Sequence, residues 1–190
     1  MQGLALGYLL QVVSAEVTSR GSISPLTMFQ ALASLLIIII VWHEYAIGTV
    51  LFRWKLDLLD SAIPFLFGIV EYIMIASISI PLVDHAMSEH RFSLWLWALP
   101  AFCFVSCLAY WNQYSKAIVD EDASYIQPVP KFNLIQALVT ALVFSLVAVM
   151  NSIFHFQGSA QWIAAACIAS VFIGHAFRIN KAYERRTQHP

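Results

Sequence analysis

The feature that most constrains this chain is a set of five long stretches without a single lysine or arginine: Leu26–Phe52, Leu58–Val83, Phe92–Trp111, Phe132–Phe156 and Ala160–Phe177. A bilayer core about 30 Å thick is crossed by roughly 20 residues of apolar helix, so each stretch has the length of a span. Apolar residues fill these stretches nearly continuously instead of marking one stripe, and a helix that is apolar on all sides needs lipid or protein around its whole circumference. The chain as a whole is 60% apolar and 11% charged, against about 45–50% and 25% in an ordinary soluble domain. A soluble globular domain is excluded on that ground. The expected fold class is an all-α, polytopic transmembrane helical bundle of five spans.

The breaks between stretches carry the charge. Arg53, Lys55, Lys116, Lys131, Arg178, Lys181, Arg185 and Arg186 fall on one side of the membrane, against Arg20 and Arg91 on the other. Cytoplasmic loops retain Lys and Arg, so this distribution predicts a cytoplasmic C-terminus. Trp54, Trp95, Trp111 and Trp162 lie close to segment ends, where an interfacial aromatic belt belongs. Residues 1–25 are read as an N-terminal interfacial segment, because Gly3–Val17 is short for a span and is interrupted by Gln11, Ser14 and Glu16. The reading is an interfacial or re-entrant helix, with a sixth span as the alternative. Residues 26–177 form the transmembrane bundle and residues 178–190 a basic cytoplasmic tail able to lie against anionic lipid.

Several spans carry polar residues at helical spacing. Asp60, Pro64, Gly68 and Glu71 are separated by four, four and three positions, which places them on one stripe of the second span. Thr27, Gln30, Ser34, Glu44 and Gly48 share a sector of the first, and Asn133, Gln136, Thr140, Asn151 and His155 repeat the pattern on the fourth. The fifth offers Ser170 and Gly174 in line with Arg178. Ordinary helix packing accounts for most Ser, Thr and Gly positions. A carboxylate near the bilayer centre costs roughly 2.5–3.5 kcal/mol even on lenient insertion scales, so Glu44 and Glu71 must face protein or water. Together with His43 and Asp60 they are the intramembrane candidates for function. His43 and His175 raise a haem held between two helices, but they are offset in depth, and no cofactor is expected.

No Gly-x-Ser-x-Gly elbow, His-Glu-x-x-His pair or Gly-rich phosphate loop occurs, so no catalytic residue is assigned and no enzymatic activity is expected. Cys103, Cys107 and Cys167 lie inside apolar stretches, and Trp42-His43-Glu44-Tyr45 lacks a second histidine at helical spacing, so no metal site is expected. The formal charge of -1 leaves no basic field to hold nucleic acid. Outside the membrane, Asp120, Glu121 and Asp122 in one loop and Arg185 and Arg186 in the tail are candidate contacts for a soluble partner. Five short helices provide little protein to enclose two carboxylates, which predicts a homo-oligomer, a dimer or tetramer, with membrane lipid around it.

A short multi-spanning chain without a catalytic motif, with Glu44 and Glu71 in its first two spans and small cytoplasmic handles, resembles in layout the membrane subunits of bacterial antiphage systems such as Kiwa. That resemblance implies a membrane sensor or effector in a bacterial inner membrane, acting in antiviral defence with a soluble cytoplasmic partner. It carries over no site residue. The residues themselves also admit an ion-conducting or membrane-perturbing channel, and an accessory subunit of a transport or respiratory complex.

Overall fold

The computed structural model describes residues 2–51, 58–78, 85–119 and 128–187, all of the regular structure there being helical. Six helices follow one another: α1 (Gln2–Arg20), α2 (Pro25–Leu51), α3 (Leu58–Ala76), α4 (His85–Val119), α5 (Pro128–Phe154) and α6 (Ser159–Thr187). Gly3, Glu44, Asp60, Asn112, Asn133 and His175, one from each helix, border a common space. One end of the bundle therefore collects the start of α1, the end of α2, the start of α3, the end of α4, the start of α5 and the His175 level of α6. This is called the polar end below.

Four helices are long and apolar enough to cross a membrane, over Pro25–Ala46, Leu58–Ala76, Glu89–Lys116 and Lys131–Phe154. These are consistent with an integral membrane protein. The fifth expected span is shorter: only Ser159–His175 of α6 is apolar, and the helix then continues without a break to Thr187. The expected basic tail thus begins as an extension of α6. Helix α4 also exceeds its expected bounds at both ends, because a search that stops at Arg and Lys ends a span where charge begins, whereas the backbone hydrogen bonds carry on.

Burial follows the logic of a protein in lipid. On α5, Leu138, Val139, Leu142, Val143, Leu146 and Ile153 are exposed, while Ala137, Ala141, Phe144, Ala148 and Asn151 are buried. The inward face is mostly alanine, which lets α5 approach α4 closely, and the large aliphatic side chains are left for lipid. Helix α2 contacts α6, α3 contacts α4, and α1 contacts both α2 and α3. Tyr8 of α1 stacks on Tyr72 of α3 at 5.0 Å between ring centres.

At mid-bundle four phenylalanines from four helices meet. Phe67 lies 5.2 Å from Phe102, Phe102 lies 6.5 Å from Phe172, and Phe172 lies 5.6 Å from Phe144, centre to centre. Toward the opposite end Met74, Ile75, Ile78, Phe92, Trp95, Leu96 and Leu99 are all buried, together with the polar side chains of Glu16, Thr27, Gln30, Ser34 and Glu71. Trp95 departs from the expected aromatic belt, being fully buried against Phe92. Trp111 and Trp162 are exposed, Trp162 stacking on Phe29; Trp54 lies outside the described residues.

The connections at the opposite end are built by local chemistry. Gly21, at φ 69°, ends α1 and donates its N–H to the Val17 carbonyl at 2.8 Å, the left-handed cap that glycine adopts without strain. Ser24 then caps α2, its hydroxyl accepting the Thr27 N–H at 3.1 Å,. The side chain of the fully buried Glu16 accepts the Ser24 N–H at 3.2 Å, which ties α1 to the start of α2. Between α5 and α6, His155 takes φ 47° and is exposed. It belongs to the turn and leaves the polar face of the fourth span, where the spacing had put it.

A polar chamber at one end of the bundle

A cavity of about 700 Å³ occupies the polar end. Its walls come from all six helices, and its floor is the phenylalanine layer, Phe67, Phe102 and Phe172 being lining residues. Asp60, Asn112, Gln113 and Asn133 line it near the helix ends, and Thr140 lies deeper. Volumes of roughly 300–1,000 Å³ with apolar walls and a few convergent polar groups are typical of small-molecule sites.

Three side-chain links across helices organise it. Tyr110 of α4 donates its hydroxyl to Glu44 Oε2 of α2. Asp60, in the first turn of α3, accepts from Asn112 Nδ2 at 2.7 Å and pairs with Lys116 Nζ, both on α4. Gln136 Nε2 of α5 lies 2.6 Å from His175 Nδ1 of α6. The direction of this bond depends on the tautomer of the ring, whose other nitrogen is Nε2,. That Nε2 is 3.9 Å from Glu44 Oε1, too far for a hydrogen bond. Glu44 Oε1 is buried and has no hydrogen-bond partner among the described residues. In contrast, Ser34, Ser106, Thr140, Ser152 and Ser170 each donate to the carbonyl four residues back on their own helix. Their hydroxyls need no neighbouring helix for a partner.

Two of the four intramembrane candidates meet here: Glu44 and Asp60 both line the chamber. Their helical registers explain why. Glu44 follows Gln30, Ser34, Ile37 and Val41 at steps of four, three, four and three, down the inward stripe of α2, and Asp60 begins the inward stripe of α3 that continues through Pro64. Glu71 lies on that same stripe but not in the chamber; it is 0% exposed. Thr27, Gln30 and Ser34 are likewise 0% exposed. His43 is half-buried on α2 and does not line the cavity. Of the partner-binding candidates, Asp120, Glu121 and Asp122 lie outside the described residues. Arg185 and Arg186 fall on the extension of α6, with side chains outside the description. Ser170 and Gly174 face outward.

Sequence reading missed the α4 contribution, because the third span was ended at Trp111, one residue before Asn112. The signal was present: Asn112 and Lys116 are four apart and so share a helix face, with Asp60 the carboxylate available across the bundle. Among the described residues no group of three or more His, Cys, Asp or Glu is placed to hold a metal ion. Comparison with known proteins finds no matching family model, no matching curated protein and no matching solved structure.

Proposed function

We propose that this chain is a non-catalytic, homo-oligomeric membrane sensor subunit whose chamber receives a ligand and whose C-terminal helix reports occupancy to a soluble cytoplasmic partner. The observation that carries this reading is the continuity of α6. One helix brings His175 into the chamber wall and runs on for twelve residues to Thr187, about 18 Å at 1.5 Å per residue. A shift at the chamber is therefore delivered outside the membrane by a rigid element carrying Arg185 and Arg186. The phenylalanine floor and the closely packed side chains beyond it, Met74, Ile75 and Leu99 among them, favour a closed receptacle over a conduit within one protomer. A conducting effector would have to pass ions between protomers. The basic side is read as cytoplasmic, in a bacterial inner membrane, and antiviral defence is the setting that the layout suggests.

The test combines two measurements. Liposomes holding the purified chain should stay tight to potassium ions. In native membranes, cross-linking through the C-terminal helix should capture one soluble protein that the double change Arg185→Glu and Arg186→Glu releases. Sustained cation flux through the reconstituted chain would overturn the sensor reading.

A further inference from the structure

We infer that the chamber is a site for a lipophilic organic cation taken from the surrounding membrane leaflet, an inference that rests on the receptacle reading above. The charge inventory comes first. Glu44 and Asp60 contribute two carboxyl groups and Lys116 one amine, and His175 Nε2 stands 3.9 Å from Glu44 Oε1. Lys116 is engaged by Asp60, which leaves Glu44 as the acidic group open to a ligand, its Oε1 buried without a hydrogen bond. A cation placed against that oxygen supplies what the site lacks, and the attraction is strong where water is excluded.

The apolar lining selects the rest of the ligand. Trp42, Tyr45, Phe65, Phe67 and Phe102 all line the cavity, and aromatic faces attract organic cations as well as apolar substituents. The entry route is lateral. Trp42, Tyr45 and Phe65 line the chamber and are 63%, 57% and 58% exposed, so the chamber opens beside three aromatic side chains. A hydrophilic cation would have no reason to enter past them, and a neutral lipophile would leave Glu44 uncompensated.

The probes are tetraphenylphosphonium and tetraphenylborate, two ions of nearly the same shape and opposite charge, titrated onto the full chain in nanodiscs. Tetraphenylphosphonium should bind saturably, one per protomer, and at least roughly tenfold more tightly than the borate. Glu44→Gln keeps the side-chain volume and an acceptor for Tyr110, and should remove at least that tenfold preference. Glu71→Gln, outside the chamber, should leave it intact. Equal binding of the two ions, or a preference that survives Glu44→Gln, overturns the proposal. The two ions compared on the unaltered chain decide the question even if Glu44→Gln fails to fold. Absence of cation preference in tight liposomes would sink this inference and leave the sensor reading standing. Cation flux blocked by tetraphenylphosphonium would do the reverse.

Discussion

Glu44 and Glu71 are the same residue type on the inward stripes of neighbouring helices, yet the two halves of the bundle treat them differently. Glu44 borders a cavity, gives one oxygen to Tyr110 and keeps the other unbonded. Glu71 is sealed at 0% exposure in the half whose core also contains Met74, Ile75 and Ile78. Residue type therefore says that a carboxylate must be enclosed, and the packing around it decides whether the enclosure is a receptacle or a solid core. The phenylalanine layer is the boundary between these two outcomes.

Breaking that boundary should have the largest effect. Phe102 is 5% exposed and touches both Phe67 and Phe172, so Phe102→Ala removes a ring from a packed core and should cost about 3–5 kcal/mol. Leu142→Ala, on the lipid side of α5, should change stability by no more than about 0.5 kcal/mol. Unfolding in mixed micelles measures both. A cost at Leu142 equal to that at Phe102 would mean that the outward face of α5 packs against protein, as it would inside an oligomer interface.

The next largest effect belongs to the polar end. Asp60 is engaged by both Asn112 and Lys116, and its side chain is 13% exposed. Asp60→Asn should cost about 1–3 kcal/mol, the usual range for losing hydrogen bonds to a charged group. A double-mutant cycle with Lys116→Met should return a coupling of at least about 0.5 kcal/mol. No coupling would show that Lys116 is held by something other than Asp60 in the membrane.

How much of this was legible beforehand follows from the same contrast. The helical class was carried by the unbroken apolar stretches, and the inward stripes by spacing: Pro64, Gln136 and Thr140 line the chamber and Gly68 and Glu71 are buried as their registers require. Distances along one helix are fixed by 3.6 residues per turn. The pairing of Glu44 with Tyr110, 66 positions later, depends on how far α4 slides past α2, which no single-helix period encodes. The helices α4 and α6 outrun the expected spans for another reason. Charge marks where a helix leaves lipid, and both helices continue past that point. Trp95 was misplaced because a tryptophan near a segment end fits either an interface or a core, and only packing against Phe92 decides.

The smallest effect tests whether the two ends are energetically separate. Ser24 caps α2 at the end opposite the chamber, and its backbone N–H is held by Glu16. Ser24→Ala removes the hydroxyl that accepts the Thr27 N–H and should cost about 1 kcal/mol, the usual value for a lost N-cap. Thr27 is itself 0% exposed, so no water is at hand to replace the lost acceptor, and a cost below about 0.5 kcal/mol would show that the cap is not what holds this turn. Since Ser24 and Asp60 lie at opposite ends of the bundle and share no partner, the double variant Ser24→Ala, Asp60→Asn should unfold with the sum of the single costs to within about 0.5 kcal/mol,. A larger departure from additivity would mean that α2 transmits strain along its whole length, and that occupancy of the chamber is felt at the α1–α2 turn as well as along α6.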